Sequence, residues 1–433
     1  MSENNNSAAD TLVALYRKSR SLAQVPLVAN TISYTVNFGL QLCIQLGFFL
    51  FISRVLGAEG YGLFVTITSV SVMAGFIVGL GSEYLLVQRV AVAPESFGAY
   101  FGHALIMMAL TIPLVVPATI LLLDYLIGHS LSYLTISVIA VTDLVFTKLV
   151  ILSAQSYMAF DRAKKQLVVN IFAASMKLLF LAVAVVLFDD LTIEEWAWWF
   201  VASGLVSAVT AVSFVLRDLG RPRFKVMRED LRLSLLYCVE FLSIGGMKDL
   251  DKPVVVHNLG ADAGGQYAAG FRLIDAASAP VRAFLYATYT RHFRKAEAGR
   301  ASSLAFGLKL LPVTVGLALP VAAFLFLIAG FIPLVLGEDF SDTPTVVMCL
   351  AFYPLLMGLS GVGADVLRAT GRQKIRMALL IGTSLSLIPV VSLGTMIGGL
   401  AGAALFRFGV QIALTLGTWF FILWTREPAR DKA

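Results

Sequence analysis

The sequence predicts an all-α integral membrane protein in which twelve transmembrane helices form two six-helix lobes, related by a parallel internal repeat, around a central cavity. Three observations support this prediction: a strongly apolar composition, basic residues concentrated in alternate loops, and a short motif that occurs twice. The composition indicates a lipid environment, the basic loops indicate the orientation in the membrane, and the repeated motif indicates the internal symmetry.

The composition indicates a protein whose main solvent is lipid. Of the 433 residues, 58% are hydrophobic and 14% are charged, whereas a soluble domain carries about 25% charged residues. Crossing about 30 Å of hydrocarbon takes about 20 apolar residues in a helix, and no segment shows the alternation typical of a membrane barrel. The three cysteines lie in apolar runs, and no histidine or cysteine spacing suits zinc, so neither a metal nor a cofactor is expected.

Twelve apolar stretches are long enough to span a membrane. In chain order they cover residues 28–51, 62–87, 100–123, 131–156, 167–188, 196–216, 234–256, 264–289, 304–336, 345–366, 377–396 and 398–424. The predicted domains are an N-lobe at 28–216 and a C-lobe at 234–424, joined by a linker at 217–233, with polar end segments at 1–27 and 425–433.

The basic residues predict the orientation of the chain. Most of the 33 Lys and Arg residues lie in the two end segments and in the loops after the even-numbered stretches, whereas the other loops are mainly acidic. Because cytosolic loops carry the excess of Lys and Arg, both ends are expected in the cytosol. The amino end has no cleavable signal pattern.

A short motif occurs twice and indicates a duplication. RVLGAEGYGLF (54–64) follows the first stretch, and HNLGADAGGQY (257–267) follows the seventh, with an offset of 203 residues. Since each half has an even number of stretches, the two halves point the same way and are related by an axis along the membrane normal. Gly57, Gly62 and Gly260 are predicted to form tight outer turns that close the outer mouth.

These two turns, together with LRATGRQK (367–374) after the tenth stretch, resemble the polysaccharide flippases, which are Wzx-like proteins of the multidrug/oligosaccharidyl-lipid/polysaccharide (MOP) flippase superfamily. The resemblance implies two six-helix lobes around a cavity in a bacterial cytoplasmic (inner) membrane. It also implies a polyprenyl-pyrophosphate-linked oligosaccharide, used for exopolysaccharide or O-antigen type surface glycans, as the substrate. A polysaccharide polymerase and chain-length machinery are further candidate partners besides membrane lipids, and no nucleic acid is expected.

Basic residues inside the apolar stretches are the main candidates for substrate binding, because a charge in the membrane usually faces a wet interior. The predicted cationic cavity contains Lys148, Lys177, Lys248, Lys252, Arg272, Arg282 and Arg407. Guanidinium groups match phosphate oxygens in a bidentate manner, and ammonium groups act as point charges. The alternative is that neighbouring acids such as Asp251 neutralise these cations and let polar helices pack.

Uncharged polar residues and acids complete the predicted cavity. The predicted polar lining for sugars consists of Asn30, Tyr34, Asn37, Gln41, Gln45 and Tyr237. Candidates for coupling to protons or sodium ions are Asp143, Glu240, Asp249, Asp275 and Asp365, since a carboxyl group in a low-dielectric cavity can titrate near neutrality.

Two other functional classes were compared with the flippase hypothesis. A polysaccharide polymerase or ligase would carry a sizeable outer loop with catalytic residues, and here every outer loop is short, so the chain is not expected to be an enzyme. A multidrug exporter of the same superfamily would have the same architecture but would favour an acidic cavity for cationic drugs. No Walker-type motif occurs, so the chain is not expected to hydrolyse ATP.

Overall fold

The computed structural model describes residues 26–424, and side chains from residue 39 onward. This part of the chain consists of helices joined by short turns and connections, so the predicted fold class is confirmed. The loops on one side of the bundle carry the Lys and Arg excess; this side is called the basic end, and the opposite side is called the acidic end.

The first helical stretch, Pro26–Ile77, folds back on itself at Gly57. The φ angle of Gly57 is 64°, a left-handed value that favours glycine because a β-carbon would clash there. The rings of Phe49 and Tyr61 are 5.6 Å apart, whereas a straight helix would separate residues twelve positions apart by about 18 Å. The stretch therefore forms α1 (26–56) and α2 (58–77), and α2 continues through Val78–Gly81 to Ser82–Val92.

The last helical stretch, Gln373–Trp424, folds back in the same manner at Gly398 and Gly399. A β-carbon added at Gly394 would lie 2.6 Å from the carbonyl oxygen of Gly402, so the two arms touch. The other helices, in chain order, are α3 (Phe97–Leu126), α4 (Tyr133–Val141 and Lys148–Ala159, joined by the π-helical segment Thr142–Thr147), α5 (Ala163–Leu187), α6 (Ile193–Asp218), α7 (Leu231–Asp249 and Asp251–Leu259), α8 (Ala261–Ala277 and Ala279–Glu297), α9 (Arg300–Ala329), α10 (Thr343–Leu350 and Tyr353–Ala369), α11 (373–397) and α12 (400–424).

Length and hydropathy alone identify seven described stretches that could cross a membrane, or eight if the bent pair of α10 is one span. Two of these stretches each contain a hairpin of two helices, α1 with α2 and α11 with α12. The helices α7 and α8 do not qualify, because charged residues interrupt them. A charged side chain on a membrane helix usually faces another helix or water, so the charged faces of α7 and α8 belong in the interior of the bundle.

The helices pack as two groups, α1–α6 and α7–α12, that meet along a seam. Within each group, consecutive helices pack on one another, and across the seam α1 and α2 contact α7 and α8. The beginning of α6 at the acidic end is fixed locally: the hydroxyl of Thr192 accepts the backbone N–H of Glu195, and the Glu195 carboxylate accepts the N–H of Thr192. This reciprocal cap satisfies two donors that the helix leaves free.

The helix α2 is interrupted at Gly79, Leu80 and Gly81, which all have positive φ angles of 79°, 52° and 75°. Two glycines adopt this conformation without penalty, but a residue with a side chain such as Leu80 loses about 1–2 kcal/mol. The hydroxyl of Ser234 at the start of α7 donates to the Leu80 carbonyl at 2.7 Å. The interruption therefore lies at the seam and is stabilised by the opposite lobe.

The linker between the lobes is attached to the basic end of the N-lobe. The backbone N–H of Arg223 donates to the Gly98 carbonyl at 2.7 Å, and the carboxylate of Asp230 accepts from Tyr100 at 2.7 Å and from Arg89. Burial raises the pKa of Asp230, but the hydrogen bonds from Arg89 and Tyr100 outweigh burial, so this pKa lies below its usual range. The linker thus remains charged and held in place at neutral pH.

Candidate functional site

A central cavity of about 290 Å³ lies at the seam, with α1, α2, α4, α5 and α6 on one side and α7 and α8 on the other. Four basic side chains and three carboxylates line it, which leaves an excess of one positive charge when all are ionised. They are Lys177, Lys248, Lys252, Arg272, Asp143, Asp249 and Asp275.

Two of the four cavity cations have carboxylate partners. The ammonium of Lys252 donates to Asp249 and to the Lys248 carbonyl. The ammonium of Lys248 lies 3.8 Å from Asp275, which also accepts from the guanidinium of Arg282 at 2.5 Å. Neighbouring carboxylates therefore largely neutralise Lys248 and Lys252. This agrees with the alternative hypothesis that nearby acids neutralise the membrane cations.

Lys177 and Arg272 differ from the other two cations. Neither has an ion-pair or hydrogen-bond partner among residues 39–424, although the Lys177 ammonium lies 4.8 Å from the ring centre of Phe200. Lys177 comes from α5 of the N-lobe and Arg272 from α8 of the C-lobe, and both side chains are partly exposed to the cavity. Two cations from opposite lobes thus face one cavity without a salt bridge in the described part of the chain, although Asp143 and Asp275 lie near enough to act on them electrostatically.

Asp143 lies beside this pair in the π-helical segment of α4. Its Oδ1 accepts from the Thr147 hydroxyl at 3.1 Å, and its Oδ2, which is buried, has no hydrogen-bond partner in the described part of the chain. A π-helical turn inside an α-helix is often found at functional sites. Asp143 and Thr147 both line the central cavity, so the carboxylate is close to Lys177 without forming an ion pair with it.

A second cavity, of about 360 Å³, extends from the central cavity into the N-lobe. It is called the N-lobe chamber, and its polar lining is formed by Gln41, Gln45, Thr147, Asn170, Lys177, Ser207 and Arg272. The side chains of Lys177 and Arg272 border both spaces. Gln41 and Gln45 are two of the residues that the sequence predicted as polar lining.

A third cavity, also of about 360 Å³, lies inside the C-lobe and is called the C-lobe chamber. Three arginines and the predicted coupling residue Asp365 line it, and each arginine has an acidic partner. The pairs are Arg282 with Asp275 at 2.5 Å, Arg368 with Asp365 at 3.5 Å, and Arg376 with Glu240 at 3.1 Å. Arg282 therefore borders the C-lobe chamber, and Glu240 lies in an ion pair between α7 and α11.

The prediction that Lys148 and Arg407 line the cavity is wrong, because both are buried in ion pairs between helices. The ammonium of Lys148 lies 2.6 Å from Glu83. The guanidinium of Arg407 is fully buried and lies 3.1 Å from Asp251. Both residues therefore have the structural role that was the alternative to substrate binding for the membrane cations.

Tyr237, which was also predicted as cavity lining, does not line any of these three cavities. Its hydroxyl donates to Gln88 at 3.0 Å across the seam between α7 and α2. The side chains of Asn30, Tyr34 and Asn37 lie outside the described residues, and their role stays a prediction.

The outer turns meet at the acidic end of the seam. A β-carbon added at Gly62 would lie 1.9 Å from the carbonyl oxygen of Ala261, and one added at Gly265 would lie 1.9 Å from that of Ala58. Both pairs are related by the offset of 203 residues, so the internal symmetry axis passes between them. Gly57 and Gly260 bend the chain with φ angles of 64° and 91°, and Gly62 makes the contact itself.

Gly265 was not among the predicted gate residues. The signal was present in the sequence, since the repeat offset maps Gly62 onto Gly265. Helices whose backbones touch need glycine on both sides, and the structure has glycine at both positions. In this conformation the lobes are closed at the acidic end.

Comparisons with solved structures identify the fold. An inward-facing multidrug resistance MATE family transporter of the MOP superfamily is 14% identical, with a TM-score of 0.71 over 88% of this chain and 94% of that chain. The lipid II flippase MurJ in an inward closed conformation is 13% identical, with a TM-score of 0.69 over 90% of this chain and 87% of that chain. A MOP superfamily transporter from Pyrococcus furiosus is 17% identical, with a TM-score of 0.61 over 93% of this chain and 96% of that chain.

Comparison with family models identifies the family. No match was found among curated protein sequences. The model described as polysaccharide biosynthesis protein matches residues 27–289, which is more than half of the chain. This multi-pass membrane protein therefore belongs to the polysaccharide biosynthesis protein family, as its resemblance to the polysaccharide branch of the MOP superfamily predicted, and it has the fold of the MOP-superfamily transporters.

Proposed function

We propose that this protein is a flippase that moves a polyprenyl-pyrophosphate-linked oligosaccharide across the bacterial cytoplasmic membrane. The observation that carries the proposal is the pair of cations Lys177 and Arg272, which face the central cavity from opposite lobes and form no salt bridge with any residue between 39 and 424. The family supports a role in polysaccharide synthesis. In this orientation the basic end faces the cytosol, both chain ends are cytosolic, and the glycan moves to the outer leaflet.

The chemistry of the two cations suits a diphosphate. The guanidinium of Arg272 can donate two parallel hydrogen bonds to phosphate oxygens, and the ammonium of Lys177 adds a point charge. Two unpaired cations in a cavity are mutually repulsive and costly to desolvate, and an anion between them removes both penalties. The polyprenyl tail remains in the bilayer while the headgroup occupies the cavity.

Transport follows by alternating access. In the described conformation Gly62 and Gly265 close the acidic end, so the cavity is loaded from the basic end. Rocking of the lobes about the seam separates these glycines and opens the cavity to the other side. Because a diphosphate would contact Lys177 on one lobe and Arg272 on the other, the bound anion helps to hold the lobes together during this change.

A drug exporter is the alternative function within the same fold. The cavity carries a net positive charge, which disfavours cationic drugs. The Asp143 carboxylate favours them, because it forms no ion pair in the described part of the chain. We expect no bond-making chemistry, and a polymerase and chain-length machinery would act on the product after it has crossed.

The test of the proposed function is flipping in proteoliposomes by variants that lack one or both cations. Lys177→Ala and Arg272→Ala are each expected to lower the rate of flipping of a fluorescent polyprenyl-diphosphate oligosaccharide by about tenfold or more, since hydrogen bonds to charged groups contribute about 1.5–3 kcal/mol. The double variant is expected to be inactive. The matched control is Lys309→Ala, which removes a cation that is exposed on α9 and lies outside the three cavities.

Flipping at the wild-type rate by the double variant would contradict the proposed site. An equal loss of the flipping rate in the Lys309→Ala variant would also contradict the proposed site, because removal of any membrane cation would then be enough to lower the rate.

A further inference from the structure

The N-lobe chamber contains three side-chain amides without a hydrogen-bond partner in the described part of the chain. Gln41 and Gln45 are four residues apart on α1 and therefore lie on one face of that helix, and Asn170 lies on α5. None of the three has a hydrogen-bond partner among residues 39–424, although each is only partly exposed. In contrast, the amide of Gln411 in the C-lobe chamber donates to Ser360 at 3.1 Å.

Amides that are not hydrogen-bonded at this depth are available to a polar ligand. A polar side chain inside a membrane protein is costly unless it is hydrogen-bonded or faces water. Each amide offers two donors and one acceptor oxygen, which is the pattern that the hydroxyl groups of a sugar require. The hydroxyls of Thr147 and Ser207 border the same chamber and add further acceptors.

The position of the chamber relative to the unpaired cations indicates which part of a ligand would enter it. Lys177 and Arg272 line both the chamber and the central cavity. A sugar attached to a diphosphate that is held by these cations would lie next to the amides. The chamber volume of about 360 Å³ falls within the range of about 300–1,000 Å³ that is usual for small-molecule pockets.

The C-lobe chamber has the same volume but a different chemistry. Its three arginines are each occupied by a carboxylate, and Gln411 is already hydrogen-bonded. The pair of Arg282 and Asp275 lies between this chamber and the central cavity: Arg282 lines the C-lobe chamber, and Asp275 lines the central cavity. The arginines and the amide of this chamber are therefore already paired, whereas the three amides of the N-lobe chamber are not.

We propose that the N-lobe chamber is the sugar-binding site, in which Gln41, Gln45 and Asn170 hydrogen-bond the sugars nearest to the diphosphate. The inference rests on the proposed function. One lobe thus recognises the glycan, while the diphosphate is held at the seam by both lobes. Selectivity for a glycosylated lipid over a bare lipid then depends on the amides, and anion binding depends on the cations.

The experiment compares two lipids in proteoliposomes, a polyprenyl diphosphate that carries an oligosaccharide and the same polyprenyl diphosphate without sugar. The variants are Gln45→Met and Asn170→Leu, whose apolar side chains suit a membrane helix. Each is expected to lower flipping of the glycosylated lipid by about tenfold while flipping of the bare lipid changes less than about twofold, because lost sugar hydrogen bonds affect only the first lipid. The matched control, Gln411→Leu, changes an amide of the C-lobe chamber and is expected to leave the ratio of the two rates unchanged.

The outcomes separate this inference from the proposed function. The sugar site would be overturned if Gln45→Met and Asn170→Leu lowered the flipping rates of both lipids equally or left the ratio of the two rates unchanged. The proposed flippase function would still stand in that case if flipping depended on Lys177 and Arg272. A change of the ratio in Gln411→Leu alone would also overturn it, since the glycan would then contact the C-lobe chamber. Failure of the wild-type protein to move either lipid would overturn the proposed function and this inference together.

Discussion

Replacing Arg407 by Met is expected to lower the free energy of unfolding by about 3–5 kcal/mol, the usual cost of leaving one member of a buried ion pair without its partner. Arg407 and Asp251 have no exposed surface. The guanidinium of Arg407 donates to Asp251 at 3.1 Å and to the Met247 carbonyl at 2.7 Å, and it lies 5.1 Å from the ring centre of Tyr353. Its removal leaves the Asp251 carboxylate buried with the Tyr267 hydroxyl as its remaining side-chain partner.

The measurement is the apparent melting temperature of the purified protein in detergent. The double variant Asp251→Leu with Arg407→Met is expected to recover most of the lost stability, because replacing both members of a buried pair by apolar residues is often neutral. The comparison variant is Lys177→Ala, which removes a cation that forms no salt bridge with the described residues and should change the melting temperature little. A small effect of Arg407→Met, equal to that of Lys177→Ala, would contradict the structural role of Arg407.

Replacing Gly62 by Ala is expected to force the two lobes apart at the acidic end and to abolish transport. The added β-carbon would lie 1.9 Å from the carbonyl oxygen of Ala261, so the helices must separate by at least about 1.5 Å to reach ordinary van der Waals distance. The measurement is the distance between spin labels on Glu59→Cys and Asp262→Cys, two exposed positions related by the repeat, after the three native cysteines have been replaced.

Gly75→Ala is the matched control for this prediction. Gly75 lies on the same helix, and a β-carbon added there meets no heavy atom within 4 Å. Alanine favours a helix over glycine by about 1 kcal/mol, so this variant should keep the label distance and the transport rate. An unchanged label distance in Gly62→Ala would show that the lobes do not touch at this position in the membrane and would contradict the closed acidic end.

The repeat and the composition predicted the architecture well because both are properties of the chain itself. The offset of 203 residues placed Gly57 and Gly260 at equivalent turns, and their positive φ angles of 64° and 91° are the conformations that a one-residue reversal needs. The interruption of α2 at Gly79 and Gly81 and the π-helical segment around Asp143 were not predicted. Both depend on packing against other helices, such as the contact of Ser234 with Leu80.

The pairing of the membrane charges could not be predicted from sequence spacing. Asp251 is next to Lys252 in the chain, yet its carboxylate binds Arg407, which is 156 positions away. Lys252 instead binds Asp249, which is three residues away on the same helix. The arrangement of whole helices decides which cations remain unpaired. Only the three-dimensional structure therefore distinguishes the unpaired Lys177 and Arg272 from the paired Lys148 and Arg407.

The measurement that tests the central claim most directly is leaflet exchange by the wild-type protein in sealed proteoliposomes. We expect a fluorescent polyprenyl-diphosphate oligosaccharide to reach the opposite leaflet faster than in protein-free vesicles, and a cationic dye to be retained. The unpaired Lys177 and Arg272 favour the anion and repel the dye. Efflux of the dye without movement of the glycan lipid would contradict the flippase and would identify the protein as a drug exporter of the same fold.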